Sequence, residues 1–167
     1  MIMIRTIDLA YIAGIVDGEA YIGIKKTKAY KCQDRVTPGY HARIQVRMID
    51  ESAIQFVAKT FDGRYYKEKS NSINRRPLFC FQASDRKAEK ILSSLYPYLK
   101  VKRKNAKAVL ALRILQNDNQ KYRTKVVGHR NFPNRYGVAR IVPNLAYCDA
   151  YVALCDELYE HCKRLNH

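Results

Sequence analysis

Two acids, Asp17 and Glu19, close a run of apolar and small residues, LAYIAGIVDGEA, that spans Leu9 to Ala20. A helix of that composition is suited to burial, and carboxylates delivered at its end need a cation or a hydrogen-bonding partner to receive them. The chain as a whole is strongly basic, with 31 Lys and Arg against 15 Asp and Glu and a formal net charge of +16. Acid chemistry inside a basic protein suggests a metal held against a polyanion.

The basic excess is spread along all 167 residues instead of sitting in one tail. That distribution favours a folded cationic face over a disordered arm, and nucleic acid is the expected partner. The length suits one domain, residues 1–167, with a proper core. Five cysteines (Cys32, Cys80, Cys148, Cys155, Cys162) form no CxxC or Cys/His cluster. The odd count argues against a secreted disulfide framework and for a reducing, intracellular setting. Cys148, Cys155 and Cys162 recur every seven residues, which reads as core packing along one helix stripe. No apolar run reaches the ~20 residues of a membrane span, and MIMIRTIDLA lacks the order of a signal peptide. A protein without membrane or targeting segments, made in the organelle or cytoplasm where it works, is expected.

The elements that must position the acids follow from periodicity. Leu9, Ile12, Ala13 and Val16 recur at helical spacing behind a possible Thr6 cap, predicting a helix from about Ile7 to Gly18. YIGIKKTK (Tyr21–Lys28) then alternates as a strand. After Pro38-Gly39, YHARIQVRMI alternates Ala42, Ile44, Val46 and Met48 with His41, Arg43, Gln45 and Arg47. One face of that strand is core and the other is basic. Asp50 can cap a helix through about Phe61, ended by Asp62-Gly63. RYYKEK and SINRRPLFCFQA read as a second strand pair around a Ser70–Asn74 turn. A helix from Ser84 or Asp85 ends at Pro97, and another runs from Lys102 to about Gln116. From Asn117 to Arg140 periodicity fails and charge is dense, predicting a basic loop before a final helix from Asn144 to about Leu165.

Two antiparallel hairpins of this kind make one four-stranded sheet with its apolar face under the helices, an α+β fold. Its other face is exposed and cationic. Such a ribbon can lie in a DNA major groove, where Arg and Lys read guanine and Gln reads adenine.

IAGIVDGEA, Ile12 to Ala20, resembles the LAGLIDADG motif of the homing endonucleases, with Gly and Ala at two small positions and Glu19 where the family more often has Asp. The resemblance implies the αββαββα homing-endonuclease fold, a saddle-shaped sheet and an extra C-terminal helix. One motif copy implies a homodimer. Ala10, Ala13, Gly14 and Gly18 offer almost no side-chain bulk, so two such helices could meet backbone to backbone, flanked by Leu9, Ile12 and Val16 with Asp17 at the end. A twofold axis there would bring both Glu19 carboxylates together, where oxygen ligands with open water positions suit Mg²⁺.

PYLKVKRKNAKAVL, Pro97 to Leu110, resembles the segment that supplies the family's active-site lysine, and Lys102 is the matching position. Gln45 is the nearest match to the family's water-organising polar residue, Met48 standing at the alignable position. What the resemblance implies is a Mg²⁺-dependent endonuclease that cuts both strands of a long, nearly palindromic double-stranded DNA site, with no small-molecule cofactor. Glu19 and the Gly18 carbonyl would hold metal, with Glu19, Lys102 and Gln45 catalytic. Tyr21, Gly23, Lys25 and Thr27, then His41, Arg43, Gln45 and Arg47, then Arg64, Tyr66, Glu68 and Arg76 would face the bases. Arg130, Arg135 and Arg140 would clamp phosphates. Rival readings are a non-cleaving binder on the same scaffold, such as an intron RNA maturase or transcription regulator, and a ribosomal-type RNA-binding protein. The first has no use for a carboxylate facing phosphate, and the second would not need a small-residue dimer helix.

Overall fold

Helix α1 (Thr6–Glu19) runs directly into strand β1 (Ala20–Thr27), so Glu19 stands at the junction between the two. The chain continues through β2 (Gly39–Met48), α2 (Glu51–Thr60), β3 (Tyr65–Lys67), β4 (Phe79–Ser84), α3 (Asp85–Leu95) and α4 (Arg103–Asp118). It ends with β5 (Thr124–Pro133), β6 (Ala139–Tyr147) and α5 (Asp149–Leu165). This computed structural model describes residues 4–28, 37–68, 76–118, 124–133 and 139–166, with backbone alone for 118, 124–133 and 139–146.

Four strands form one antiparallel sheet in the order β1-β2-β4-β3. Alternation decides its two faces. Ile22 and Ile24 of β1, Ala42, Ile44 and Val46 of β2, and Phe81 and Ala83 of β4 are buried under the helices. Against them pack Ile12 and Val16 of α1, Ile54 and Val57 of α2, Ile91 and Leu92 of α3, and Val109 and Leu112 of α4. Each fully buried side chain of this size contributes roughly 1.5–3 kcal/mol, so this layer carries the stability of the domain.

Asp50 caps α2 as expected, its carboxylate accepting from the Ala53 N–H at 3.2 Å. Asp62, just past the end of that helix, has a φ of 48°, the left-handed conformation that stops a helix and that Asp tolerates. Thr6, by contrast, is not a cap: it is the first helical residue, behind Arg5, whose guanidinium pairs with Asp8 in the first turn. The positive end of the helix dipole is met by Asp8 instead of by a hydroxyl.

β1 is an edge strand, and α5 covers its free side. Asn166 Nδ2 donates to the Ile22 carbonyl at 3.0 Å, and the Cys162 thiol donates to the same oxygen at 3.8 Å. The Asp156 carboxylate takes the Tyr40 hydroxyl at 2.8 Å and pairs with the Lys26 ammonium. Cys155 and Cys162 are buried in the core on α5, whereas Cys148 precedes that helix and is half-buried, so only two of the three cysteines form the expected core stripe.

The segment read as a basic loop is different. Strands β5 (Thr124–Pro133) and β6 (Ala139–Tyr147) form a two-stranded antiparallel ribbon, separate from the main sheet. A register shift between Val126 and Gly128 changes the strand's phase partway along, and Pro143 lies within β6. Both features erase the period-two signal, while a ribbon with two open edges tolerates the proline. β6 continues to Tyr147, so the last helix begins at Asp149, not Asn144.

Candidate active site and nucleic-acid interface

Asp17 and Lys102, 85 positions apart, meet at the C-terminal end of α1. The Asp17 carboxylate accepts from the Lys102 N–H at 2.8 Å and from the Lys100 N–H at 2.7 Å. It thereby ties the segment that starts α4 to the end of α1. Partial burial pushes the Asp17 carboxyl up, but the N–H groups of Lys102, Lys100 and Val101 with the Lys102 charge outweigh it and hold the pKa below the ordinary value. So held, the Lys102 side chain reaches back over the same helix end: Nζ lies 3.3 Å from the Val16 carbonyl oxygen and 3.5 Å from that of Gly18. The last carbonyls of a helix lack intrahelical donors and carry the negative end of its dipole, so an ammonium is favoured there. Burial lowers the Lys102 pKa, and the negative charges of Asp17 and Glu19 partly restore it.

Glu19 is exposed at this point, beside the Gly18 carbonyl. Both are hard oxygen donors at a cation-favouring helix end, a set that suits Mg²⁺ with its remaining positions filled by water or phosphate. Among the described residues of one chain, no three His, Cys, Asp or Glu side chains gather closely enough to enclose a metal.

Of the residues expected at an interface, Ile12, Ala13 and Val16 are buried in the chain's own core, because the sheet claims that side of α1. Asp17 is engaged by the α4 segment. Leu9 is half-buried, while Ala10 and Gly14 are exposed. The open face of the helix instead runs through Ile7 (71% exposed), Ala10, Tyr11 (57%), Gly14 and Gly18. A Cβ built on Gly14 or Gly18 meets nothing within 4 Å. Nothing among the described residues requires glycine at either position.

The sheet face away from the helices carries the expected side chains, most of them already partnered. Tyr21 and Lys25 are exposed, but Gly23 is buried beneath the Tyr21 ring: its added Cβ would lie 2.2 Å from the Tyr21 hydroxyl oxygen. Thr27 donates to the Gly39 carbonyl. His41 Nδ1 lies 3.0 Å from Asp85 Oδ2, and Arg43 Nη2 donates to Gln82 Oε1 at 2.9 Å. Arg47 Nε donates to Glu68 Oε1 at 2.8 Å, and its Nη2 donates to Glu68 Oε2, holding that carboxyl below the ordinary value. Gln45, the residue expected to organise water, uses one amide N–H to donate to Cys80 Sγ at 3.1 Å. Arg64, Tyr66 and Arg76 are exposed. Arg130 lies on β5 and Arg140 on β6, with only their backbones described, and Arg135 is outside the described residues.

Sequence reasoning overlooked the contribution of β4. Cys80, Gln82 and Ser84 share the outward face, paired with Arg47, Gln45 and Arg43 respectively. The alternation of FCFQAS was the available signal. It also treated Asp17 as an interface residue, because a bond to backbone N–H groups more than eighty positions away leaves no mark in local spacing.

No family model matches the chain, and no curated protein does. Among solved structures it is similar to the homing endonuclease I-CvuI in complex with the I-CreI target, with a TM-score of 0.65 at 15% identity over 95% of this chain and 82% of that one. It is similar to the group I intron-encoded homing endonuclease I-CeuI complexed with DNA (TM-score 0.53, 15% identity, 71% of this chain and 59% of that one). The I-LtrWI LAGLIDADG homing endonuclease bound to target DNA gives 0.55 at 19% identity, over 67% and 38%. With the helix-strand junction at Glu19 and the sheet order β1-β2-β4-β3, this likeness gives the chain the fold of the LAGLIDADG homing endonucleases.

Proposed function

We propose that the chain is one half of a homodimeric, divalent-cation-dependent, site-specific DNA endonuclease that hydrolyses both strands of a long, near-palindromic site. The observation that carries this reading is the meeting of Lys102 with the Asp17-Gly18-Glu19 end of α1, a buried-side ammonium beside an exposed carboxylate at the border of a cationic sheet face. A nucleic-acid binder without hydrolytic activity needs no such group. The solved structures of similar fold are homing endonucleases, several of them bound to DNA.

In this reading α1 faces its twin through Ile7, Ala10, Tyr11, Gly14 and Gly18, which brings the two Glu19 carboxylates together. Glu19 and the Gly18 carbonyl would hold Mg²⁺, which when bound lowers the pKa of a water and neutralises charge on the attacking and leaving oxygens. Lys102, kept on the α1 carbonyls by Asp17, stabilises the charge that develops on the scissile phosphate. The outward face of β1, β2, β3 and β4 lies against base edges, and the basic ribbon β5-β6 meets phosphates in a salt-sensitive manner.

The test is incubation of purified protein with a plasmid bearing the gene's own insertion site. Double-strand cleavage in Mg²⁺ and none in EDTA is expected. Glu19→Gln should abolish cleavage while leaving DNA binding intact; absence of any metal-dependent cut by the parent protein would overturn the reading.

A further inference from the structure

Two arginines on the outward face of β2 are held by neighbours that fix where their free edges point. Arg47 is gripped through Nε and Nη2 by the Glu68 carboxylate, and Arg43 is gripped through Nη2 by the Gln82 amide oxygen. In each case the end of the guanidinium, Nη1–H with the second Nη2–H, has no acceptor among the described residues. A two-pronged donor of this geometry matches the O6 and N7 acceptors of guanine in the major groove. The Glu68 charge also offsets that of Arg47. A neutralised arginine gains little from phosphate attraction, whereas its directional hydrogen bonds to a base edge are retained.

We infer that Arg43 and Arg47 each read one guanine, and that Gln82 and Glu68 are positioning residues acting through them. This rests on the DNA-cleaving reading above. The four-residue step from Arg43 to Arg47 spans about 14 Å at ~3.4 Å per residue, which covers about three or four base pairs along the groove. The polarity is also set. Val46 pairs with Ala20, so Arg47 continues the ladder toward Glu19, whereas Arg43 pairs with Gly23 farther out. Each half-site thus carries an inner guanine read by Arg47 and an outer one read by Arg43, and a twofold dimer repeats the pair in mirror order.

The experiment is enrichment of bound sequences from a double-stranded DNA library with a random central window, using the full chain in calcium buffer. A symmetric motif with two guanines per half-site at this separation is expected. Arg47→Ala should reduce preference for the inner guanine about 10- to 100-fold and leave the outer one, and Arg43→Ala should do the converse. Glu68→Gln should weaken preference only at the inner guanine, by a smaller factor, while binding to random DNA holds or rises because a negative charge is gone. Gln82→Ala should act only at the outer guanine. A motif lacking the spaced guanines, or a Glu68→Gln variant that loses affinity equally for all sequences, overturns the inference and leaves the nuclease reading standing. Enrichment of no sequence overturns both.

Discussion

Replacing Asp17 by Asn tests the link between the end of α1 and the start of α4. The carboxylate accepts two N–H groups, from Lys100 at 2.7 Å and Lys102 at 2.8 Å. An amide keeps one acceptor oxygen and turns an NH₂ group toward the other donor, so one bond is lost and two donors face each other. A hydrogen bond to a charged group contributes roughly 1.5–3 kcal/mol, and the partial exposure of Asp17 moves the expected loss down to about 1–2 kcal/mol. For a chain of this size that lowers Tm by about 2–8 °C. The pH dependence has a fixed sign. The folded pKa of Asp17 is depressed, so its contribution is present above the unfolded value near 3.8 and is lost as pH falls through the lower folded value. Parent and variant should therefore differ by a constant amount at neutral pH and converge below about pH 4. Because the Lys102 backbone is released, cleavage should slow by about 10- to 100-fold beyond any loss of folded protein. Thermal melts at several pH values and single-turnover cleavage measure both. A variant that melts and cuts like the parent would refute the coupling.

If α1 forms the proposed dimer interface, Gly14→Leu, which places a side chain where the described residues leave open space, should leave far-UV circular dichroism unchanged while shifting sedimentation from dimer to monomer. Persistence of the dimer would remove the α1 face from the interface. Asp156→Asn weakens the tie of α5 to Lys26 and Tyr40 and should cost about 1 kcal/mol at neutral pH, after discounting for the partial exposure of the pair. Desolvation pushes the Asp156 pKa up, but the hydrogen bonds from Lys26 and Tyr40 and the Lys26 charge together outweigh it and lower it in the fold, so that difference should vanish in chemical denaturation below about pH 4.

The main sheet and its four flanking helices were readable because each announces itself locally: Ile44 and Val46 alternate with Arg43 and Gln45, Asp50 caps its helix, and Asp62-Gly63 stops it. What stayed hidden depends on distant partners or broken phase. Ile12, Ala13 and Val16 look alike in sequence to Ala10 and Gly14, because α1 is apolar around its whole circumference. Only the position of the sheet decides which side is core. The β5-β6 ribbon was hidden by its register shift and by Pro143. Lys102 was found through its likeness to a family segment, while the reason it can sit on the α1 carbonyls, the Asp17 clamp, is a tertiary fact.

The closure of the β1 edge by α5 has a kinetic side. The bonds from Cys162 and Asn166 to the Ile22 carbonyl join residues 140 and 144 positions apart. Contacts so far apart in the chain form late, since the loop between them must first be ordered. During synthesis β1 can pair with β2 long before α5 exists, and for that interval its outer backbone is an open template for another strand. The basic side chains Lys25 and Lys26 on that strand then act as charge guards until α5 arrives, when Lys26 pairs with Asp156 and Lys25 stays exposed on the outward face.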